Sequence, residues 1–151
     1  MSSPEGPGEQ NLGHLVREQT SAALRHAAAT AKRMGIELSE LAALEHLQGA
    51  GPMTLGRLGQ RLSMSPGAVT ALVDRLEARG YAERIPNPED RRSMLVRETQ
   101  KGLEGSLEHL WPYIEEMKRI EEGFSEEERA VVARFLAAAT EATHRHARGS
   151  G

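Results

Sequence analysis

The sequence predicts a mainly α-helical protein with a small β-hairpin wing. Apolar residues recur at steps of three and four along most of the 151 residues, the spacing of one helix face. In the middle of the chain, two short helical patterns are joined by a tight turn. Two short strand patterns with a polar tip follow them directly. This order describes a winged helix-turn-helix flanked by longer N- and C-terminal helices.

The segment before this motif predicts a flexible arm and two helices. Residues 1–10 contain two Pro, two Gly and two Glu and almost no apolar surface, so we expect them to form a loose arm. From Leu12, apolar and small residues form one helical stripe that ends at Gly35. A second helix begins at Ser39 and ends before Gly49–Pro52, because glycine and proline interrupt a helix.

Two short helices form the predicted helix-turn-helix. Thr54 is placed to cap the first of them. In the second, Ser65 is the N-cap and Pro66 the first helical residue, where the missing N–H of proline does no harm. The apolar positions of the two helices, which we expect to face inward, are Leu55, Leu58, Leu62, Val69, Leu72, Val73 and Leu76.

The predicted wing follows Gly80, which ends the second helix. Strand patterns cover Tyr81–Ile85 and Ser93–Arg97. The residues between them, Pro86–Arg92, are rich in turn-forming side chains. We therefore expect a hairpin with a polar tip that carries two adjacent arginines.

The chain beyond Thr99 predicts two long helices. Pro112 lies inside the first helix and removes one backbone hydrogen bond, so we expect a kink there. Gly123 ends this helix, and Ser125 with Glu128 forms a capping box for the last one. The apolar residues of the first helix, spaced to pack along another long helix, are Leu103, Leu107, Leu110, Ile114 and Met117.

The terminal helices also predict a homodimer. The first and last helices are rich in alanine, and their apolar stripes are longer than a single chain of this size can cover. A second copy of the chain would cover them. Residues 11–35 and 100–147 are then dimerisation helices, residues 36–99 are the winged helix-turn-helix, and the whole forms one intertwined domain.

Charge is distributed unevenly along the chain. The 19 Lys and Arg against 22 Asp and Glu give a formal net charge of −3, which taken whole argues against a nucleic-acid partner. Residues 53–98 nevertheless carry +2, all eight of their basic residues are arginine, and the remainder carries −5. Arginine offers a planar set of donors that fits phosphate and guanine. Positive charge thus coincides with the predicted helix-turn-helix and wing.

Composition and motifs argue against several classes of protein. The absence of cysteine excludes a disulfide scaffold, a Cys-ligated zinc site, a thiol nucleophile and a thiol redox sensor. The histidines are scattered, and His144 and His146 lie two apart on different helix faces, so no metal site is expected. No motif indicates an enzyme or a bound cofactor. The sequence shows neither a signal peptide nor a membrane-spanning run, so we expect a cytoplasmic protein that does not contact a membrane.

The middle of the chain resembles the MarR family, the multiple-antibiotic-resistance type of winged-helix transcriptional regulator. The combination of a helix-turn-helix, an Asp-x-Arg wing, a strand and Thr-x-x-Gly is more specific than any of its parts. The residues that carry the resemblance are Leu55, Leu58, Leu62, Ser65, Pro66, Val69, Thr70, Leu72–Glu77, Gly80, Tyr81, Arg84, Pro88, Asp90–Ser93, Val96 and Thr99–Gly102.

The resemblance implies that the second helix of the motif, about residues 65–78, enters the DNA major groove at each operator half-site. Its outward side chains are small at the N-terminal end, which lets the helix backbone lie deep in the groove. For Arg75, the alternative to a DNA contact is an ion pair with a wing carboxylate such as Asp90. The residues expected to contact DNA are Ser65, Pro66, Gly67, Ala68, Thr70, Ala71 and Arg75.

The resemblance also assigns the tip of the wing. In the family, a wing arginine reaches into the minor groove; Arg92 occupies that place here, with Arg91 nearer the phosphates. Asp90 would orient the wing, because phosphate repels a carboxylate. The alternative for both arginines is a mobile exposed loop that contacts nothing.

Three residues depart from the family pattern. Glu98 stands where the family usually has leucine, so the second wing strand is expected to pack differently or to end sooner. Gly56 and Gly59 lie in a helix, where each costs up to about 1 kcal/mol relative to alanine. Gly59 suits a close approach between two helices, whereas the sequence offers no reason for Gly56.

Family members commonly sense a small aromatic or phenolic ligand between the dimerisation helices and the winged helix. Candidate lining residues offer rings and a few polar groups. The alternatives are structural, since a tryptophan at helical spacing more often packs in a core and a histidine is more often a satisfied structural residue. The candidates are His14, Arg17, His46, Trp111 and Tyr113.

These observations predict a homodimeric, sequence-specific DNA-binding transcriptional regulator. We expect a repressor that binds an inverted-repeat operator with half-sites about one helical turn apart and is released by a ligand. The alternative is a winged-helix dimer that serves as a protein-interaction module and does not bind DNA.

Overall fold

A computed structural model describes residues 11–149, and the arm expected at residues 1–10 lies outside them. The chain divides into two compact units, Met1–Leu110 and Trp111–Gly151. The predicted mainly helical fold with a small wing is confirmed. Residues 11–149 form, in order, α1 (Leu12–Met34), α2 (Leu38–Ala50), β1 (Met53–Thr54), α3 (Leu55–Leu62), α4 (Pro66–Ala78), β2 (Ala82–Pro86), β3 (Met94–Glu98), α5 (Gln100–Glu122) and α6 (Glu126–Arg148).

The helix ends confirm most of the predicted caps. Helix α1 ends at Gly35, whose φ of 70° is a left-handed conformation that favours glycine. The Thr54 hydroxyl accepts a hydrogen bond from the Arg57 N–H at 3.3 Å and caps α3. Ser125 caps α6 in the predicted capping box. The hydrogen bonds at these helix ends therefore join residues that are close in sequence.

Helix α2 differs from the prediction at both ends. It begins at Leu38 rather than Ser39, because Glu37 acts as the N-cap in a capping box with Glu40. It continues through Gly49 to Ala50 and ends at Gly51, whose φ is 78°. A glycine inside the last turn lowers helix stability but does not end the helix.

The sheet has three strands, so the prediction of a two-stranded hairpin was incomplete. Strands β2 and β3 pair antiparallel as expected, each one residue later in the chain than predicted. The two-residue strand β1 adds to the other edge of β3, with Met53 opposite Val96 and Thr54 opposite Leu95. Two residues are too few to show the alternation that identifies a strand in a sequence.

The core of the first unit lies under the helix-turn-helix. All four predicted inward positions of α4 are buried. Gly59 is confirmed as a close-packing point, because a Cβ there would lie 3.3 Å from the Met64 carbonyl oxygen and from Val69 Cγ1. Gly56 faces open space. The largest buried apolar side chains are Leu41, Leu44, Leu58, Leu72, Leu76, Val69, Val73 and Val96.

The second unit consists of the last part of α5, with Pro112 inside that helix, and of α6. The kink expected at Pro112 stays a prediction. No side chain of residues 111–149 is buried within the single chain. A groove of about 560 Å³, which we call the apolar groove, runs along these helices. Its lining includes Tyr113, Ile114, Met117, Ile120, Phe124, Val132 and Leu136.

Candidate nucleic-acid interface

The outward face of α4 is small and uncharged near its N-terminus. The Ser65 Oγ accepts a hydrogen bond from the Ala68 N–H at 3.2 Å, so the hydroxyl proton stays available to another acceptor. The Thr70 hydroxyl donates to the Pro66 carbonyl oxygen at 2.8 Å. A Cβ on Gly67 would have no neighbour within 4 Å. Of the predicted contact residues on α4, only Ala68 is half-buried; the exposed ones are Ser65, Pro66, Gly67, Thr70, Ala71 and Arg75.

Arg75 is ion-paired, but not with the wing. Its Nε donates to Glu40 Oε1 at 2.9 Å, and Glu40 lies in α2 rather than at the predicted wing position Asp90. The Arg75 side chain is 49% exposed, whereas that of Glu40 is 1% exposed. The ion pair therefore joins a buried carboxylate of α2 to a half-exposed side chain of α4. It uses Nε of Arg75 and leaves Nη1 and Nη2 without a partner in residues 11–149.

The opposite flank of α4 is held by Arg84 of β2. Its Nη2 donates to Asp74 Oδ1 at 2.8 Å, its Nη1 donates to Glu77 Oε2, and its backbone N–H donates to Glu77 Oε1 at 2.8 Å. Burial lowers the pKa of Arg84, but the carboxylates of Asp74 and Glu77 outweigh burial and raise the pKa above its usual value. Arg84 thus fixes α4 on the sheet. Sequence reasoning gave this role to no residue, because the partners lie on different elements.

The C-terminal end of α4 is bound to the start of α5. The Thr99 hydroxyl donates to the Gly80 carbonyl oxygen at 2.6 Å and accepts from the Gly102 N–H at 3.1 Å. Lys101 Nζ donates to the Arg79 carbonyl oxygen at 2.8 Å, where a cation complements the helix dipole. Helix α4 is therefore anchored on both flanks and at its C-terminus, while its N-terminal face stays open.

The tip of the wing is ordered by short-range hydrogen bonds. Asp90 Oδ1 accepts from the Arg92 N–H at 3.0 Å, and Asn87 Nδ2 donates to Ser93 Oγ at 2.9 Å. Arg91 and Arg92 are exposed, and neither guanidinium has a partner among residues 11–149. The Asp90 carboxylate thus holds the turn from which both arginines project.

Three arginines of residues 53–98 are ion-paired and five are not. Arg97 pairs with Glu83 at 2.7 Å, and Arg75 and Arg84 pair as described above. Arg57 and Arg61 lie one turn apart on the exposed face of α3; the prediction missed them as site residues, although their four-residue spacing marks them. The five arginines without an ion-pair partner in the described chain are Arg57, Arg61, Arg79, Arg91 and Arg92.

Glu98 does not shorten the second wing strand. It is the last residue of β3, lies opposite Ala82, and accepts a hydrogen bond from Gln48 Nε2 at 2.9 Å. The same Gln48 nitrogen lies 2.6 Å from the buried Ser106 Oγ. Burial raises the pKa of the Glu98 carboxyl, and the hydrogen bonds from Gln48 and Ser106 lower it without cancelling the effect. The polar side chains of Gln48 and Ser106 accommodate the half-buried carboxylate of Glu98.

A Glu98→Gln variant is expected to be more stable than the wild type at pH 7. Because the Glu98 pKa is higher in the folded state than in the unfolded state, folding favours the protonated carboxyl. The stabilisation that the protonated Glu98 provides is lost as the pH rises through the folded-state pKa. Glutamine keeps an oxygen acceptor without the charge. Thermal unfolding should show the largest gain at neutral pH and a shrinking gain as pH falls toward 4. A gain that does not vary with pH would contradict this assignment.

The five candidate effector residues fall in both units. His14 and Arg17 are exposed on α1, and His46 is half-buried on α2. Trp111, for which core packing was the alternative, is 56% exposed in the single chain. Tyr113 lines the apolar groove. A helical stripe predicts which residues share a face, but it does not show whether the same chain covers that face.

Residues 11–149 show neither a cluster of metal ligands nor a helix that could span a membrane. No group of three or more His, Asp or Glu in this part of the chain is arranged to hold a metal ion. None of its helices is both long and apolar enough to span a membrane.

Comparisons with known proteins agree with this geometry. The sequence profile of the MarR family matches residues 34–93. Over 77 residues the chain is 46% identical to the uncharacterised HTH-type transcriptional regulator YcgE of Bacillus subtilis, covering 51% of this chain and 49% of YcgE. Over 102 residues it is 33% identical to the uncharacterised HTH-type transcriptional regulator YkoM of the same organism, covering 68% of this chain and 66% of YkoM. The match thus spans about half to two thirds of the length of these relatives.

A solved structure shows the same fold over most of the chain. The crystal structure of the transcriptional regulator Tm0710 from Thermotoga maritima is similar with a TM-score of 0.65 and 25% sequence identity. The alignment covers 91% of this chain and 97% of that one. The similarity therefore includes the long terminal helices as well as the winged helix-turn-helix.

Proposed function

Because the chain belongs to the MarR family of HTH-type transcriptional regulators, we propose that it represses transcription by binding an inverted-repeat DNA operator. Members of this family are not enzymes. The repressor in this proposal is a cytoplasmic homodimer. One observation carries this proposal. Arginines without ion-pair partners lie on α3, at the end of α4 and at the wing tip, around a helix face of small residues. Unpaired cations attract phosphates, and a small-residue face fits the major groove.

Each part of this surface has its own role in the proposal. The exposed N-terminal residues of α4, from Ser65 to Ala71, meet base edges and phosphates in the major groove. Arg92 enters the minor groove and Arg91 lies against the phosphates, while Asp90 orients the wing. Arg57 and Arg61 on α3 add phosphate contacts, because the first helix of a helix-turn-helix crosses the DNA backbone.

An Arg92→Ala variant is expected to bind the operator more weakly while folding normally, because its guanidinium has no partner in the described chain. The operator probe is a duplex enriched from a random library by the wild-type protein. Gel-shift titration over a range of salt should show weaker binding by the variant at each salt concentration.

The matched control is Arg97→Ala, which removes an arginine already paired with Glu83 on the sheet. Its effect on operator binding should be small. Undiminished binding by Arg92→Ala would contradict the wing assignment. A wild-type protein that binds no duplex at low salt would instead support the alternative of a protein-interaction module.

The homodimer is supported by apolar surface that the chain leaves open. Leu12, Leu15 and Leu24 are exposed on α1, and α5 and α6 line the apolar groove. Lys118, Glu121 and Arg129 bring both signs of charge to that groove. In a two-fold symmetric dimer the same surface patch of each protomer contacts the other. A patch that carries both positive and negative side chains can therefore form ion pairs with the same patch of the second protomer. We infer that a second copy covers this surface.

A Leu136→Glu variant is expected to be monomeric at concentrations where the wild type is a dimer. The new carboxylate would be buried without a partner in the interface, so the dimer dissociation constant should rise about 100-fold or more. Sedimentation equilibrium measures this directly. Leu38→Glu, which changes an exposed leucine at the start of α2, should leave the dimer intact. Equal effects of the two substitutions would contradict the proposed interface.

We further propose that a small aromatic or phenolic effector releases the repressor from DNA. Of the candidate residues, His14, Arg17 and His46 lie in the first unit, and Trp111 and Tyr113 lie in the second. Trp111 is the single tryptophan of the chain, so its fluorescence reports on this region without labelling. Titration of the dimer with benzoate and with phenol should change that fluorescence and dissociate the DNA complex over the same concentration range.

A further inference from the structure

The carboxylate of Glu40 is buried and has two partners. Its Oε2 accepts from the Glu37 backbone N–H at 2.6 Å in the capping box of α2. Its Oε1 accepts from Arg75 Nε at 2.9 Å. A buried carboxylate strongly destabilises a protein unless a cation and hydrogen bonds compensate it. Glu40 therefore holds the Arg75 guanidinium in one place.

This ion pair determines which edge of Arg75 faces outward. Nε is committed to Glu40, while Nη1 and Nη2 have no hydrogen-bond partner in residues 11–149. Because the guanidinium is planar, fixing Nε also fixes the direction of the two Nη groups. The exposed half of the side chain thus presents a rigid pair of N–H donors beside the outward face of α4.

The charges around Arg75 favour a base over a phosphate as its target. Glu40 compensates the positive charge of Arg75, whereas the exposed carboxylate of the neighbouring Asp74 is itself paired with Arg84. Because its charge is compensated, the Arg75 guanidinium attracts a phosphate less strongly than an arginine without an ion-pair partner does. Guanine offers O6 and N7, two acceptors on an uncharged edge that match a pair of N–H donors.

We propose that Arg75 reads a guanine in each half-site through Nη1 and Nη2, and that Glu40 is the positioning residue that fixes it for this contact. This inference rests on the proposed DNA binding and adds the identity of one base to it. It separates Arg75 from Arg57, Arg61, Arg91 and Arg92, which lack an ion-pair partner and act as phosphate or groove-width contacts.

The test compares base preferences rather than affinity alone. Duplexes are selected from a random library by the wild-type protein, by Glu40→Gln and by Arg75→Lys, each shown to be folded by circular dichroism. Arg75→Lys keeps the cation beside Glu40 but loses the planar donor pair. Both variants should lose about 10-fold of the preference for guanine at one position per half-site, with the salt slope unchanged. Glu83→Gln, which removes the carboxylate partner of Arg97, should leave every base preference as in the wild type.

Each other outcome overturns the inference in a recognisable way. Uniform weakening on all sequences, with a salt slope smaller by about one, would make Arg75 a phosphate contact. Base preferences equal to those of the wild type in both variants would make the ion pair purely structural. A wild-type protein that enriches no sequence would overturn the proposed function together with this inference.

Discussion

An Arg75→Ala variant should lose about 3 kcal/mol of its free energy of unfolding, because it leaves the Glu40 carboxylate buried without a cation. The loss should appear in urea unfolding followed by circular dichroism as a lower midpoint with an unchanged slope. Most of this loss of stability comes from the Glu40 carboxylate that stays buried without a cation, and little comes from the contacts that the Arg75 side chain itself makes.

The matched controls distinguish the effect of burying an unpaired Glu40 carboxylate from the effect of breaking an ion pair at the surface. Arg97→Ala breaks the exposed pair with Glu83 and should cost less than about 1 kcal/mol. Adding Glu40→Leu to Arg75→Ala should recover part of the loss, since no buried charge then remains, although the capping box of α2 is lost as well. Equal losses for Arg75→Ala and Arg97→Ala would contradict the stabilising role given to the buried ion pair.

A Gly102→Ala variant should be destabilised by about 3 kcal/mol and should bind DNA poorly under conditions where the wild type binds. A Cβ at this buried position would clash with the Tyr81 carbonyl oxygen and lie 3.0 Å from Glu98 Cγ. A backbone atom cannot move aside as a side chain can, so the start of α5 must shift away from the segment that links α4 to β2. Thermal unfolding and gel shift measure the two effects.

The control is another helical glycine, at which the same methyl group meets no atom. Gly56 lies in the first turn of α3, and a Cβ added there would have nothing within 4 Å. Gly56→Ala should therefore leave stability unchanged or raise it by up to about 1 kcal/mol. A similar loss in both variants would show that the Gly102 contact does not determine the stability of the α4–α5 junction.

The parts of the fold that depend on local sequence could be predicted. Ser65 followed by Pro66, Ser125 with Glu128, and the inward positions of α4 were identified because capping and helical periodicity operate within a few residues. The third strand was missed because periodicity operates only within a few residues. Met53–Thr54 acquires its structure by pairing with β3, which lies about 40 residues later in the chain.

The exposure of most of the candidate residues could be predicted from the sequence, but their hydrogen-bond and ion-pair partners could not. The outward face of α4 and the arginines of the wing follow from spacing and composition. The partner of Arg75 does not, because Glu40 precedes it by 35 residues and looks in the sequence like an ordinary capping residue. The sequence shows that a carboxylate is near the start of α2, whereas only the packing of α2 against α4 shows that it is buried.

The short strand β1 has a mechanical consequence for the wing. Strand β3 pairs with β2 on one side and with β1 on the other, and Thr54 of β1 is also the cap of α3. A force on the wing is therefore passed through the backbone of β3 to the first residue of α3, without relying on any side chain. If the wing and α3 both contact DNA as proposed, they dock together, so the loss of orientational freedom on binding is shared between their arginines instead of being repeated for each.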